Sequence, residues 1–165
     1  MGKDKAALFW EGKTFLERLV LEFSEADDCN EILICGKTES LQDQKFGAKA
    51  RFVPDQNSEK GPLEGIRRAL GEAKSDLVFV CAVDMPFATK EIPNYLKEFV
   101  SSDYDCYVPL AAGRPEPLCA LYKKSVLPVV EDQMAADDLK LSRLYEKVPA
   151  WEKTRRRFFG KEKLF

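Results

Sequence analysis

The stretch LVFVCAVDMPF, residues 77–87, decides the fold. Its apolar, β-branched run is typical of a strand buried on both faces of a sheet, and Asp84 is the first charged residue after it. Because ligands of open α/β sheets bind beyond the carboxyl ends of the strands, we expect Asp84 to project into a ligand site. The alternative is that Asp84 only caps a turn, as aspartate often does beside a proline.

The composition indicates one globular domain, and its balanced charge predicts no strongly charged partner. The chain has 165 residues, of which 45% are hydrophobic, which suits a single domain with a real core. Lys and Arg number 26 against 28 for Asp and Glu, so no net field attracts nucleic acid or an anionic membrane. The sequence shows neither a bilayer-spanning run nor a signal-peptide pattern, and we expect a cytoplasmic protein with no membrane or nucleic-acid partner.

The cysteine and histidine content restricts the kinds of disulfide, metal site and acid–base catalysis expected of this chain. The five cysteines include no C-x-x-C pair, which argues against a disulfide framework and a structural zinc site, and Cys35 and Cys81 are predicted to be core residues. The chain has no histidine, the commonest general base and metal ligand. Any metal chemistry should therefore use carboxylates and a hard cation such as magnesium.

Upstream of residue 77 the pattern predicts alternating helices and strands. Thr14 and Glu17 form a capping box that starts a helix, and Pro62 stands where the first residue of another helix is expected. Asp55 follows a predicted strand in the same way as Asp84 follows its own. The predicted elements are a turn at 11–13, a helix over 15–24, strands over 31–35 and 50–53, and a helix from residue 62.

Downstream of residue 87 the alternation continues. A proline-containing loop at 111–117 leads into an apolar run that is predicted to be an edge or a returning strand. The basic triplet at 155–157 is predicted to be a solvated face. The alternation predicts a single α/β domain over residues 1–165 with helices layered on a mostly parallel central sheet. The predicted elements are a helix from Thr89 to Val100, strands over 105–108 and 118–122, and helices over 125–134 and 139–145.

Several parts of the predicted sheet edge suit a nucleotide. The opening of the chain carries Lys3 and Lys5, and a lysine neutralises phosphate oxygens as a point charge. The loop from Asp55 to Gly61 leads into a helix N-terminus, whose backbone N–H groups can face a phosphate. Asp84 can hold magnesium beside the phosphates.

These residues resemble the molybdenum cofactor guanylyltransferases. The resemblance extends over nearly the whole chain, and its motifs occur in the family's order with family-like spacing. It implies a three-layer Rossmann-like nucleotidyltransferase fold with a mostly parallel central sheet. The motifs are Met1-Gly-x-Asp4-Lys5-Ala6, Gly61-Pro-Leu-x-Gly65, Asp84-Met-Pro-Phe87 and Glu116-Pro-Leu118 with Tyr122.

The resemblance implies a reaction and the residues that carry it. GMP would pass from magnesium-GTP to molybdopterin with release of pyrophosphate, and the phosphate of molybdopterin would attack in line without a protein nucleophile. Lys5 would contact the GTP phosphates, Asp55 the nucleoside, and Asp84 both the magnesium ion and the nucleotide. Lys5 and Asp84 are therefore the implied catalytic residues. Molybdenum enzymes or other proteins of cofactor synthesis are the implied protein partners.

The resemblance also implies two sets of substrate contacts. The turn that starts the helix at residue 62 would lie against the guanosine, where glycine permits close approach of the backbone, or would only start the helix. The loop at 111–117 and the residue after it would lie nearest the pterin, or would be an ordinary loop. The first set is Gly61, Pro62, Leu63 and Gly65, and the second is Arg114, Pro117 and Leu118.

The sequence departs from the family pattern at both ends. The family begins with a strand and a Leu-Ala-Gly-Gly loop before its Met-Gly, and it continues into an Asn-x-Asn-Thr-Pro segment beyond the position of Phe165. Neither segment is among the 165 residues, so we expect a gap beside Leu33 and Phe79. Either the functional protein is longer, which we favour because open strand edges are costly, or this is a shortened homologue that does not catalyse.

Two other functions fit the same residues. A related nucleotidyltransferase would use CTP with the pterin, or another NTP with a sugar phosphate. A non-catalytic homologue would only bind the pterin or a partner protein. Nucleotide preference distinguishes the first alternative, and nucleotide affinity distinguishes the second.

Overall fold

The computed structural model describes residues 8–37 and 46–154, with only the backbone described for residues 152–154. Lys3, Lys5 and the basic triplet at 155–157, all of which carry predictions from the sequence, lie outside the described residues.

A short hairpin and the first helix open the described chain. Strands β1 (Phe9–Trp10) and β2 (Lys13–Thr14) pair antiparallel across a turn in which Glu11 and Gly12 have φ of 50° and 80°. Helix α1 spans Phe15–Ser24, as predicted. Its capping box is confirmed, because the Thr14 hydroxyl accepts the Glu17 N–H at 3.1 Å and the Glu17 carboxylate accepts the Thr14 N–H at 2.7 Å.

A two-stranded parallel sheet follows α1. Strand β3 (Ile32–Gly36) pairs with β4 (Ala50–Pro54), which agrees with the two predicted strands to within a residue at each end. Asp55 directly follows β4, and its N–H donates to the carbonyl of Gly36 at 2.8 Å. The last residues of both strands therefore hold Asp55 at the carboxyl end of this sheet.

The larger sheet has five strands and mixed directions. Its order is β5-β8-β6-β7, with β9 pairing on β6. Only the β6–β9 pair is parallel among the described strands of this sheet. The strands are β5 (Leu77–Cys81), β6 (Cys106–Ala111), β7 (Arg114–Pro115), β8 (Cys119–Lys123) and β9 (Ala150–Thr154).

The direction of β8 follows from a short connection. Between β6 and β7 the chain turns at Ala112 and Gly113, whose φ values are 49° and 79°, and it then enters β8 without a crossover helix. A parallel connection needs a dozen or more residues, so β8 must return antiparallel. The prediction of a returning strand is confirmed, and the edge alternative is wrong because β8 lies between β5 and β6.

The remaining helices cover the two faces of the sheets. The start of α2 at Pro62 is confirmed, whereas the predicted capping by Thr89 is wrong, because α3 begins at Glu91 without a side-chain cap. The tight i to i+3 hydrogen bonds of Phe99 and Val100 end this helix earlier than predicted. The helices are α2 (Pro62–Glu72), α3 (Glu91–Lys97), α4 (Leu127–Ala135) and α5 (Ser142–Lys147).

Strand alternation divides the core into two sides and produces three layers. On β5, Val78 and Val80 pack beneath α2, α4 and α5, whereas Phe79 and Cys81 face α1 and α3. On the other strands the same alternation buries Cys106, Val108, Ala120 and Tyr122 on the first side and Tyr107, Cys119 and Leu121 on the second. The α/β class is confirmed.

Strand β5 is less buried than the sequence predicts. Each residue of Leu77–Cys81 is half-buried, because among the described residues β5 pairs with β8 alone. Strand β3 likewise pairs with β4 alone in that part of the chain. Cys35 and Cys81 lie on these strands and are half-buried, with Cys81 packed against the core on the α1 and α3 side, whereas Cys106 and Cys119 are fully buried.

Helices α1 and α2 join the two sheets. Helix α1 packs Leu16 and Val20 on Ile34 of β3, while its Leu19 packs in the cluster of the larger sheet. Helix α2 packs on β3, β4 and β5. No helix in the described part of the chain is long and apolar enough to cross a membrane.

Candidate active site

Asp84 lies in a turn that leaves the carboxyl end of β5. The Met85 N–H donates to the Ala82 carbonyl at 3.1 Å, and the Met85 side chain is buried in the core. The backbone bond and the buried side chain together fix the turn. The Ala82 N–H donates to the Leu118 carbonyl at 2.8 Å, which ties this turn to the loop before β8. Asp84 is itself half-buried. The structure therefore places it where the strand pattern predicted.

Glu116 lies in the loop that faces Asp84. Its N–H donates to the Pro109 carbonyl at 2.9 Å, and its carbonyl accepts the Cys119 N–H at 3.0 Å. Burial raises the pKa of Glu116, while Arg114 lowers it and the negative charge of Asp84 raises it. The two carboxylates are therefore close enough to repel each other.

Tyr122 fixes this loop from inside the sheet. Its side chain is fully buried, and its hydroxyl donates to the Pro117 carbonyl at 2.8 Å. Burial raises the pKa of the Tyr122 phenol, so the hydroxyl remains a neutral hydrogen-bond donor. This tyrosine of the family motif thus has a definite structural role, which is to hold the backbone next to Glu116.

Asp55 carries an unsatisfied oxygen at the carboxyl end of β4. Its Oδ1 is buried and has no hydrogen-bond partner among the described residues. Burial raises the pKa of Asp55, and the nearby Glu64 carboxylate raises it further, while Lys37 and Arg68 lower it. A buried acceptor without a partner is costly, so this oxygen is suited to a donor supplied by a ligand.

Glu64 holds the loop after Asp55 against α2. Its side chain is fully buried and accepts the backbone N–H groups of Gln56 at 2.7 Å and Asn57 at 3.2 Å. Arg67 donates to the same carboxylate at 2.8 Å and 2.9 Å. Burial alone would raise the pKa of Glu64, but the Arg67 guanidinium and the two N–H donors hold it below its usual range.

The turn at the start of α2 has positions that are open to solvent and a position that is buried in the core. Gly61 has φ of 58°, a conformation that glycine adopts without strain, and Pro62 takes the first helical turn. The Leu63 side chain is fully buried among α2, α4 and the sheet, so only its backbone could meet a nucleotide. At Gly65 a methyl group would meet nothing within 4 Å, so this face of the helix is open.

The residues predicted to lie on the pterin side differ in accessibility. Arg114 is exposed on β7, whereas Pro117 and Leu118 are half-buried. Leu118 packs against the clusters on both sides of the sheet. Arg114 is therefore the member of this set whose side chain can reach a substrate.

An open cleft is lined in part by the residues that follow the Asp84 turn. It has a volume of about 290 Å³ and lies between α1 and the residues that follow Pro86. The Arg18 guanidinium lies 5.7 Å from the centroid of the Phe87 ring, and Trp10 packs edge-on against the same ring at 5.7 Å. Phe87 belongs to the Asp84 motif, but its sequence position gave no indication of this cleft.

The structure thus brings the predicted residues together in two groups. Asp84 and the loop from Arg114 to Leu118 meet at the end of β5, and Asp55 joins the start of α2 through Glu64. Lys5 lies outside the described residues. Glu64 and Glu116 were not predicted as site residues, although Glu116 belongs to a quoted motif. Neither the burial of Glu64 nor the contact of the Glu116 loop with the Asp84 turn is visible in the local sequence.

The comparisons with known proteins identify the family of this chain. The sequence model of the MobA-like NTP transferase domain matches residues 1–153. The chain belongs to the MobA-like NTP transferase domain family. A relative from Clostridium perfringens strain 13, named "Probable molybdenum cofactor guanylyltransferase", is 34% identical over 84% of this chain and 67% of its own length. A protein of the same name from Methanosarcina mazei is 38% identical over 78% of this chain and 59% of its own length.

Solved structures share the MobA-like fold. Molybdopterin-guanine dinucleotide biosynthesis protein A from Archaeoglobus fulgidus superposes with a TM-score of 0.79 at 25% identity, over 99% of this chain and 82% of that protein. The 2-C-methyl-D-erythritol 4-phosphate cytidylyltransferase of Thermus thermophilus superposes with a TM-score of 0.70 at 20% identity, over 95% of this chain and 86% of that protein. At that identity the second likeness shows the fold alone.

Proposed function

We propose that this chain transfers GMP from GTP to molybdopterin, giving the guanine dinucleotide form of the cofactor and pyrophosphate. The observation that carries the proposal is the likeness to relatives named as molybdenum cofactor guanylyltransferases, at 34% and 38% identity. The chain spans 67% and 59% of the lengths of these two relatives. The activity of the whole protein, its substrates and its partners are therefore part of the proposal.

The geometry at Asp55 supports a guanine nucleotide. Guanine carries adjacent N–H donors on its Watson–Crick edge, and the buried Oδ1 of Asp55 has no partner in the described residues. The loop that carries Asp55 is fixed by the Glu64 carboxylate, so the acceptor is held in place before a nucleotide arrives. The open surface over Gly65 leaves room for the nucleoside beside it.

Magnesium fits the donor set at the end of β5. Asp84 offers a carboxylate, the ligand type that magnesium prefers, in a turn fixed by the buried Met85. The described residues contain no group of three or more candidate metal ligands. The cation would be held by the carboxylate together with substrate phosphates and water. When bound there, magnesium would offset negative charge on the GTP phosphates.

The protein's own part in the reaction is positioning and charge. The phosphate of molybdopterin is already an anion and attacks the α-phosphorus of GTP directly, so no side chain has to act as a nucleophile. Lys5 would neutralise the phosphates of the leaving group, and Arg114 would meet the phosphate of the pterin. The absence of histidine from the chain is compatible with this mechanism.

The first experiment measures pyrophosphate release from each of the four NTPs in the presence of molybdopterin. We expect GTP to be preferred and Asp84→Ala to lower kcat at least about a hundredfold, because it removes the proposed magnesium ligand. Asp103→Ala is the matched control, since Asp103 is exposed and precedes the amino end of β6. A preference for CTP would contradict the guanylyl assignment, and unchanged activity in Asp84→Ala would contradict the metal role.

A second experiment separates catalysis from binding alone. Calorimetry with GTP should show affinity for the nucleotide in the full protein. Retained binding of the pterin or of a molybdenum enzyme without any GTP affinity would instead favour the non-catalytic alternative.

A further inference from the structure

We propose that Glu116 supplies a second carboxylate to the divalent cation that Asp84 holds. The inference rests on the proposed function, because that function places the cation at Asp84. It adds a ligand from a separate segment, the loop between β7 and β8, so the metal site would join that loop to the turn after β5.

The pairing of β5 with β8 brings the segments that carry the two residues together. Leu77 pairs with Lys123 and Cys81 pairs with Cys119, so each step forward along β5 meets one step backward along β8. The N–H···O bond of 2.8 Å from Ala82 to Leu118 carries this register past the last ladder pair. The same bond brings the turn that carries Asp84 beside the turn that carries Glu116.

Backbone hydrogen bonds hold both turns in place. The Asp84 turn is closed by the Met85 N–H on the Ala82 carbonyl at 3.1 Å. Glu116 is fastened to β6 by its N–H on Pro109 at 2.9 Å, and its own carbonyl accepts the Cys119 N–H.

Two negative charges held close together outside bulk water repel each other and destabilise the segments that carry them. Asp84 and Glu116 are both half-buried, which strengthens their repulsion relative to a pair in water. A divalent cation between the carboxylates converts this repulsion into attraction. Magnesium commonly binds proteins through one or two carboxylates together with substrate phosphates, which is the number available here.

The experiment measures Mn²⁺ binding to the full chain by electron paramagnetic resonance, in the presence of α,β-methylene-GTP, which cannot be cleaved at the α-phosphorus. We expect Glu116→Gln to weaken Mn²⁺ binding by about tenfold or more, and Asp84→Asn to weaken it at least as much. Glu146→Gln is the matched control and should bind Mn²⁺ as the wild type does. Glu146 is exposed on α5, and the strand that follows it, β9, begins beside the first residue of β6. Calorimetry without metal should give the same analogue affinity for Glu116→Gln and wild type.

A second measurement does not depend on the variant folding. In wild-type protein with ¹³C-labelled carboxyl groups, substoichiometric Mn²⁺ should broaden the Glu116 carboxyl resonance as strongly as that of Asp84, while Glu146 stays sharp.

The outcomes separate this inference from the proposed function. Mn²⁺ affinity that falls in Asp84→Asn but is unchanged in a folded Glu116→Gln would overturn the role of Glu116 and leave the proposed function standing. Broadening of Asp84 but not of Glu116 by Mn²⁺ would likewise overturn that role alone. Failure of the wild type to bind the GTP analogue would overturn the proposed function and this inference together.

Discussion

At the scale of single residues, three buried or half-buried carboxylates in this protein have different roles. Glu64 is fully buried yet satisfied by Arg67 and two backbone N–H groups, so it stabilises the fold in its ionised form. Asp55 keeps a buried oxygen without a partner among the described residues, and Glu116 faces another acid. The satisfied carboxylate supports the structure, whereas the other two are placed as ligand-binding groups would be.

Asp55 gives a prediction about pH and stability. Its pKa is raised above the value of 3.8 in the folded protein, mainly by burial, so the folded state binds this proton more tightly than the unfolded state. The resulting stabilisation is complete below the unfolded pKa and is lost as the pH rises through the folded pKa. We therefore expect Asp55→Asn to raise Tm at neutral pH, with a gain that shrinks as the solution is acidified.

The measurement is a thermal melt of both proteins from about pH 4 to pH 8. Asp103→Asn, at an exposed aspartate, is the control and should follow the wild type. A lower Tm for Asp55→Asn at neutral pH would show that the charge is satisfied in the folded protein. The same variant should lose affinity for GTP, because the proposed acceptor for guanine loses its charge.

At the scale of elements, helix α2 both supports the core and borders the nucleotide site. Gly65 and Gly71 lie in the same helix, and at both positions a methyl group would meet nothing within 4 Å. Alanine is favoured over glycine in a helix, so each substitution should stabilise folding by about 1 kcal/mol. We expect Gly65→Ala also to raise the KM for GTP by about tenfold, since its methyl group would occupy space assigned to the nucleoside.

Gly71→Ala is the control for this comparison, because Gly71 is exposed near the end of the helix away from the turn at Gly61. Chemical unfolding gives the stability of each variant, and steady-state kinetics gives its KM. An unchanged KM in Gly65→Ala would remove Gly65 from the nucleotide site.

Strand β5 gives a prediction about its outer edge. The hydrogen bonds from Ala82 to Leu118 and from Lys124 to Asp76 fix which peptide groups face β8. Those of Val78 and Val80 face β8, whereas those of Phe79 and Cys81 point away from it. No described residue pairs with that outer edge.

We therefore expect the amides of Phe79 and Cys81 to exchange with deuterium faster than those of Val78 and Val80. Residue-resolved hydrogen exchange by NMR measures all four in one experiment. Equal protection of all four amides would mean that a further segment pairs with the outer edge of β5.

At the scale of the whole molecule, features that depend on neighbouring residues were predicted better than features that depend on pairing between distant residues. The capping box of Thr14 and Glu17 and the Gly61-Pro62 start of α2 depend on neighbouring residues, and both were correct. The position of β8 between two strands depends on pairing with distant residues, so its sequence could only suggest an edge or a return. For the same reason the burial of Cys35 and Cys81 was overestimated, because their strands have open edges in the described chain.

The site was predictable to a similar degree. Asp55 and Asp84 follow apolar strands directly, so the carboxyl-end rule located both. Glu64 and Glu116 follow no such rule, because the first is placed by a buried hydrogen-bond network and the second by the contact of its loop with the Asp84 turn. The gap expected beside Leu33 and Phe79 stays a prediction, which the exchange experiment on β5 addresses directly.

The central claim is that guanosine monophosphate is transferred to the pterin. The most direct measurement follows ³²P from α-labelled GTP in the full protein with magnesium and molybdopterin. We predict that the label appears in a pterin-guanine dinucleotide whose formation is lost in Asp84→Ala and kept in Asp103→Ala. Label that remains in GTP with active wild-type protein, or that reaches a sugar phosphate instead of the pterin, would contradict the claim.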